Sequence, residues 1–284
     1  MTAVLETAQI RPVVVAALAE DAPSGDVTSQ VFVPADAVAT ADVVAREPGV
    51  MAGVEVLTVV FAEVDPQVRV VRHIDDGQEF AAGDVLATVS GPARAILRGE
   101  RIALNLLQRL CGIATLTAAH VQAVAHTRAR VVDTRKTTPG LRVLERHAVR
   151  CGGGFNHRFS LSDAVMAKDN HLALTDDITA AIRAARAQIP HTMHLEVEVD
   201  RLDQVEAVLA GGVDTIMLDN FSLDDLRAGV ELVGDRAVVE ASGGVRLDTI
   251  GAIAETGVDV ISVGALTHGV RALDLGLDVR ISRD

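Results

Sequence analysis

The sequence predicts an α/β protein in two parts: a mixed α/β segment over residues 1 to about 100, then a series of alternating strands and helices that suits a parallel barrel. Two observations carry this reading. From residue 130 onward short β-branched runs alternate with helical patterns, and from the third run their starts recur about every 20 residues, near the least a βα unit of a barrel needs. Each of the six runs also ends in reactive or phosphate-friendly residues, on the side of the strands where barrels build their sites. An open doubly wound sheet gives similar alternation, and periodicity alone does not separate the two.

In the first part, strand-like runs at 38–46, 68–74 and 85–90 are separated by turn signals such as Asp76-Gly77 and Gly83-Asp84, and a helix is expected over 53–62. Over 98–126 apolar residues fall at Ile102, Leu106, Leu107, Leu110, Ile113, Leu116 and Val121. That three-to-four spacing predicts a helix or helix pair bridging the two parts, with Gly112 as the break. The later strands are expected at 131–133, 164–167, 194–199, 215–218, 237–240 and 259–263. Helix starts are marked by Thr175-Asp176-Asp177 before Ile178, by Ser222 with Asp225 three residues on, and by Arg246-Leu247-Asp248 for the last helix.

The 284 residues are 49% hydrophobic and 23% charged, ordinary globular values for one large or two modest domains, so disorder is excluded as the main state. Lys and Arg number 26 against 39 acids, a net charge of −13, and there is no Trp, no Tyr and only six Phe. An acidic, aromatic-poor chain has little with which to hold phosphate backbones or stack exposed bases, which argues against nucleic acid. No run of about 18 uncharged apolar residues occurs, and the first dozen residues carry Glu6 and lack a basic start, so neither a membrane span nor a signal peptide is read and a cytoplasmic protein is expected. Cys111 and Cys151 are too few for a disulfide framework or a zinc site and are expected to be buried thiols.

Charge is unevenly placed. Between Arg94 and Lys168 thirteen cations face four acids, a local +9 that leaves −22 for the remainder. A compact cationic region within an acidic protein suits a small polyanion. Arg128, Arg142 and Arg146 are read as cations of solvated helix faces. Of the cations only Lys136 and Lys168 are lysines, at the ends of the first two barrel strands, where a compact ammonium fits better than a guanidinium fork. The first strand runs into Asp133-Thr134-Arg135-Lys136-Thr137-Thr138 and the second into Lys168-Asp169-Asn170-His171. Glu196 and Glu198 lie two apart on the third, sharing one face, and Asp219-Asn220 ends the fourth. Glu198 and Asp219 are candidates for binding a metal or sugar hydroxyls. Ser242-Gly243-Gly244 and Gly264-Ala265 are small-residue turns whose N–H groups can close on a phosphate.

These residues resemble the quinolinate phosphoribosyltransferases, also called carboxylating nicotinate-nucleotide pyrophosphorylases. The resemblance runs from Glu20-Asp21 and Gly25-Asp26-Val27-Thr28 through Ala45-Arg46-Glu47, Gly99-Glu100-Arg101 and Asp133-Thr134-Arg135-Lys136-Thr137-Thr138-Pro139-Gly140-Leu141-Arg142. It continues through Gly152-Gly153-Gly154 with His157-Arg158, Lys168-Asp169-Asn170-His171, Met217-Leu218-Asp219-Asn220 and Glu240-Ala241-Ser242-Gly243-Gly244. The resemblance implies an N-terminal α/β sandwich and an open seven-stranded α/β barrel. The division implied is 1–100 with a helical bridge to about 128, 129–270 as the barrel, and 271–284 as a C-terminal segment packing back on the first domain.

The activity implied is transfer of the phosphoribosyl group of phosphoribosyl pyrophosphate to quinolinate, with loss of carbon dioxide, in NAD biosynthesis. Arg101, Arg135, His157, Arg158 and Lys168 would hold the quinolinate carboxylates, with Arg101 donated across a homodimer. Thr134 would lie in the same pocket, and Lys136 would sit by the reacting centre and the pyrophosphate. Glu198 and Asp219 would take the ribose hydroxyls and Mg²⁺, directly or through water or substrate. Ser242, Gly243, Gly244, Val263, Gly264 and Ala265 would cradle the 5-phosphate.

Three other functions compete. A related phosphoribosyltransferase would use nicotinate or another aromatic acid, and an aldolase would use Lys168 as a Schiff base. A non-catalytic phosphosugar-binding barrel would gain nothing from carboxylates beside its ligand.

Overall fold

The computed structural model describes residues 5–280. Along the chain run α1 (Thr7–Asp21), α2 (Val27–Phe32), β1 (Val38–Ala45), β2 (Gly49–Val50), α3 (Val54–Val64), β3 (Arg69–Arg72), β4 (Glu79–Phe80), β5 (Val85–Pro92) and α4 (Ala93–Val124). There follow β6 (Arg130–Val132), α5 (Arg142–Cys151), β7 (Val165–Ala167), α6 (Asp169–Leu172), α7 (Ile178–Gln188), β8 (Leu195–Val199), α8 (Val205–Gly211) and β9 (Thr215–Asp219). The chain continues through α9 (Leu223–Val233), β10 (Val238–Ser242), α10 (Ile250–Ala254), β11 (Val260–Ser262), α11 (Ala265–His268) and β12 (Leu275–Arg280). It forms two compact units, one of residues 5–118, 137–153 and 269–280, the other of 119–136 and 154–268.

The first unit is built on an antiparallel sheet in the order β12-β1-β5-β3. The three strand-like runs of the sequence are β1, β3 and β5, and α3 is the expected helix. α1 and α2 have no counterpart among the expected elements: Pro12 lies inside α1, and α2 has only six residues. Their signal is Ile10, Val14 and Leu18, four apart and buried, which give α1 the face it packs on α3. β12 pairs with β1 from Thr40↔Arg280 to Ala45↔Leu275, which brings the C-terminal segment onto this sheet. Glu47 secures the approach to β12 by accepting from Arg271 and from the Asp274 amide, and those bonds hold its carboxyl near a pKa of about 2.

Two expectations change here. α4 is one unbroken helix of 32 residues, so Gly112 is not a break. A Cβ at Gly112 would stand 2.3 Å from the Arg271 carbonyl oxygen, so glycine serves close approach of backbone to the helix flank. The boundary at 129 also moves, because residues 137–153 fall with the first unit. Glu145 on α5 is completely buried, and it accepts from Arg109 of α4 at 2.7 Å and from the Thr138 amide at 3.1 Å. A buried carboxylate must follow its partner, and that partner is on α4. The same burial corrects Arg146, which is 7% exposed rather than on a solvated face, and Arg142, which is half-buried with Nε donating to Thr137 Oγ1 at 3.0 Å. Arg128 is exposed as expected. Both cysteines are buried, and burial pushes the Cys111 thiol up to about 12.

The second unit is a six-stranded parallel sheet in the order β6-β11-β10-β9-β8-β7, whose strands correspond to the six expected runs. β7 to β11 lie side by side in chain order and the first strand, β6, pairs with the last. A doubly wound sheet reverses direction at a switch point; this one does not, and joining first strand to last is how a barrel closes. A single parallel bridge, Val132↔Phe155, stands on the other side of β6 in the place of a seventh strand, and β7 forms the sheet's other end. Two helix starts are as read: Asp177 caps α7 through the Ala180 amide, and Ser222 caps α9 through the Asp225 amide. The helix expected last from the 246–248 signal is α10, which opens at Ile250, just after that signal, and the short α11 follows it.

Ala is the better helix former by about 1 kcal/mol, so intrinsic propensity favours Gly112→Ala. The contact with Arg271 reverses the sign, and overpacking of about 1–3 kcal/mol is expected to lower the melting temperature. Thermal unfolding by circular dichroism measures this, and a raised midpoint would contradict the contact.

Candidate functional site

Side chains alternate across a strand, so a residue that points into the barrel has its inward neighbours two positions away. In the second unit this aligns Met166 with Lys168, Glu196 with Glu198, Met217 with Asp219, and Glu240 with Ser242. The parallel register sets them side by side, Met166 against Glu196, Glu198 against Met217, and Ser242 against Asp219. All of these but Glu196 and Glu240 border a pocket of about 420 Å³ at the C-terminal ends of the strands, lined by Thr134, Arg135, Lys136, His157, Arg158, Met166, Lys168, Glu198, Met217, Asp219, Ser242 and Ser262.

One wall is cationic and comes from the loops after β6 and the 155 bridge. Asp133 is fully buried and accepts from the Asn156 side chain at 2.6 Å and the His157 amide at 2.8 Å, so it ties the two loops together. The Lys136 amide donates to Thr134 Oγ1 at 3.1 Å, and the Lys136 carbonyl accepts from Thr267 Oγ1 at 2.9 Å. That places the lysine stem beside Gly264, where a Cβ would meet its Cδ at 3.2 Å. Arg158 donates to the Ala164 carbonyl at 2.9 Å. Burial first, and then the neighbouring Arg135 guanidinium, lower its pKa from the ordinary arginine value. Two guanidinium groups that repel each other in a half-buried pocket favour an anionic ligand.

The opposite wall carries carboxylates. Glu198 is ion-paired with Lys168 across the ends of β8 and β7. Asp219 accepts from the Asn220 side chain at 2.6 Å, and Asn220 takes the left-handed conformation, with φ of 59°. This turn depends on Gly243. Its φ is 93°, and a Cβ there would lie 2.2 Å from Asn220 Oδ1 and 2.8 Å from the Asn220 amide nitrogen. Only a glycine lets the β10 turn come that close to the end of β9.

Below the cationic wall, His157 faces two buried carboxylates, with Nε2 at 3.2 Å from Glu196 and 3.5 Å from Glu240. Burial opposes a charge on this ring, while the hydrogen bonds and charges of the two carboxylates favour one and draw its pKa upward. Against a second ring proton stands the Arg158 amide, whose N–H points at Nδ1 from 2.7 Å and needs that nitrogen's lone pair. The directed contact sets the tautomer in this conformation: Nδ1 accepts, Nε2 carries the proton, and imidazolium forms only if the amide contact opens. Burial, with Glu240 adding to it, raises the Glu196 pKa above the usual carboxylate range, while the His157 hydrogen bond works against the shift.

Of the residues singled out in the sequence, Thr134, Arg135, Lys136, His157, Arg158, Lys168, Glu198, Asp219 and Ser242 line this one pocket. Gly243 and Gly244 continue the β10 turn, both at positive φ; Val263 is buried just after β11, Gly264 abuts Lys136, and Ala265 begins α11. Arg101 is an exposed residue of α4, in the first unit. Sequence reasoning missed Met166, Met217 and Ser262 as lining residues, and Glu240 as a partner of His157. The signal was available in the period-two alternation back from Lys168, Asp219, Ser242 and Gly264.

Two family descriptions cover most of the chain: "Quinolinate phosphoribosyl transferase, N-terminal domain" matches residues 26–111 and "Quinolinate phosphoribosyl transferase, C-terminal domain" residues 113–278. The chain is 47% identical over 269 residues to a nicotinate-nucleotide pyrophosphorylase [carboxylating] of Mycobacterium leprae, covering 93% of this chain and 94% of that one. It is 43% identical over 265 residues to a probable nicotinate-nucleotide pyrophosphorylase [carboxylating] of Bacillus subtilis, covering 93% and 91%. Among solved structures, NadC from Streptococcus pyogenes superposes with a TM-score of 0.93 at 41% identity, over 98% of this chain and 99% of that one.

Gly243→Ala is expected to push the β9 and β10 turns apart and destabilise the protein by about 1–3 kcal/mol, through both the clash and the positive φ. Urea denaturation measures this, and an unchanged midpoint would show that the turns have room to separate.

Proposed function

The chain belongs to the quinolinate phosphoribosyltransferase family, and we propose on that premise that it transfers the phosphoribosyl group of phosphoribosyl pyrophosphate to quinolinate with decarboxylation. The products are nicotinate mononucleotide, pyrophosphate and carbon dioxide. One observation carries the assignment: Arg135, Lys136, Arg158 and Lys168 converge with Glu198 and Asp219 on a single pocket. Such a site can hold a dianionic acid against one wall and a phosphosugar against the other.

Quinolinate has two adjacent carboxylates, which repel each other and are relieved by forked guanidinium donors; Arg135 and Arg158 supply these, with Lys168 beside them. The pyridine nitrogen attacks the anomeric carbon, whose bond to the pyrophosphate oxygen breaks with the electron pair leaving on pyrophosphate. Positive charge builds on the ribose as this happens, and Glu198 and Asp219 stabilise it while Lys136 receives the developing charge of the leaving group. The new pyridinium charge then lets the adjacent carboxylate depart as carbon dioxide, its bonding pair staying on the ring carbon until water protonates it. The turns at 242–244 and 263–265 offer backbone N–H groups to the 5-phosphate.

Glu198 and Asp219, on neighbouring strand ends and partly exposed, form an all-oxygen donor set of the kind that suits a hard cation keeping most of its water. They would hold Mg²⁺ directly or through water or substrate, and the ion would neutralise pyrophosphate charge. We further propose a cytoplasmic homodimer in which the exposed Arg101 of one subunit completes the acid pocket of the other.

Incubation with quinolinate, phosphoribosyl pyrophosphate and Mg²⁺ is expected to yield nicotinate mononucleotide with stoichiometric carbon dioxide, and nicotinate in place of quinolinate is expected to give no product. Product from nicotinate, or binding of phosphoribosyl pyrophosphate without turnover, would replace this reading with one of its competitors. Lys136→Ala is expected to lower kcat by about 10²–10³, the scale for loss of one preorganised charge-stabilising donor; full turnover in steady-state assays would remove Lys136 from the role given it.

A further inference from the structure

The resemblance makes His157 a direct ligand of the quinolinate carboxylates, but the geometry of its ring points elsewhere. Nδ1 accepts from the Arg158 amide at 2.7 Å, and Nε2 faces Glu196 at 3.2 Å and Glu240 at 3.5 Å. Both nitrogens are thus engaged by protein groups. We propose that His157 is a positioning residue and not a ligand of the acid, and that Glu196 and Glu240 act through it to set the arginines that are. This rests on the reading of the pocket as a quinolinate site.

Three features support it. Glu196 and Glu240 are each 3% exposed and stand on alternate strands, β8 and β10, one layer below the pocket-lining Glu198 and Ser242. Each has one carboxylate oxygen, Oε1, that is buried and has no hydrogen-bond partner. Two carboxylates are costly to bury so close together, and the arrangement persists only if something nearby uses their charge. The groups that use it are the cations above. Glu196 favours the charged form of Arg158, opposing burial and the repulsion of Arg135. The second feature is connectivity, since the amide that His157 accepts belongs to Arg158 itself, so the ring holds the backbone from which that guanidinium reaches. The third is the Asp133 carboxylate, which accepts the His157 amide and fixes the same turn from the other side. The turn is therefore held by its backbone and by its ring, and the Glu196–Glu240 pair is the base on which the ring rests.

The test has two independent arms. In ¹⁵N NMR of the full-length protein, the His157 ring is expected to show an unprotonated Nδ1 both free and saturated with quinolinate; protonation of Nδ1 or a change of tautomer on saturation would show that the ring meets the acid. This arm needs no turnover, so it remains informative if the proposed reaction fails. In steady-state kinetics, Glu196→Gln and Glu240→Gln are each expected to raise the KM for quinolinate about tenfold, the scale of one lost hydrogen bond, with the KM for phosphoribosyl pyrophosphate unchanged. His157→Ala is expected to do the same, and His157→Ala with Glu240→Gln to be no worse than His157→Ala alone. His157→Gln, whose amide can reach the carboxylate pair, is expected to recover most of the loss. If His157 binds the acid directly, its ring nitrogens change state on saturation with quinolinate and His157→Gln does not recover the loss, and the proposal fails; it fails also if both Glu→Gln changes leave the quinolinate KM unchanged. It fails equally if both KM values rise together with a fall in melting temperature, which marks a purely structural cluster.

Discussion

The alternation of side chains along a parallel strand, locked by register to the strands beside it, is the constraint on which the site depends. Once Ser242 stands opposite Asp219 and Met166 opposite Glu196, the inward residues of adjacent strands form layers, and their chemistry cannot be chosen strand by strand. The last inward residues of four strands or of the turns just after them, Lys168, Glu198, Asp219 and Ser242, surround an open pocket. Two residues back along the same strands stand Met166, Glu196, Met217 and Glu240, and the two buried glutamates meet His157. A one-residue slip of any strand would exchange these inward groups for its outward ones.

Electrostatics works within that frame. The chain is acidic overall, yet half of its cations fall in one stretch that holds few acids, and the fold divides that stretch between two tasks. Arg135, Lys136, Arg158 and Lys168 reach the pocket, while Arg109 goes to the buried Glu145 and Arg142 to Thr137. Opposed carboxylates and cations in one cavity suit a reaction in which a cationic sugar and an anionic leaving group separate, because each wall stabilises one of the two developing charges.

Much of this was legible in the residues. The six strands of the barrel stand where short β-branched runs place them, and seven residues singled out at strand ends share one pocket with His157 and Arg158, which the resemblance supplied. Local pattern failed where the decisive contact is distant in sequence. Gly112 read as a helix break because its reason, the Arg271 carbonyl, lies far along the chain. The division at 129 puts residues 142–151 with the barrel, whereas Glu145 draws α5 to Arg109. Arg146 was read as a solvated cation for the same cause, a buried helix face invisible without its neighbours.

By itself the sequence determined the class of fold, the family, the strand ends that carry the chemistry and the gathering of positive charge toward a compact anion. All of these are properties of residue type and short spacing, which survive without coordinates. The tertiary structure alone decided that the first strand joins the last, that α5 belongs with α4, that Glu198 is tied to Lys168, and that the ring of His157 is held between the Arg158 amide and two buried carboxylates. Each of these turns on a distance or direction between groups brought together by strand pairing and burial, and neither periodicity nor composition records where a side chain's second hydrogen bond goes.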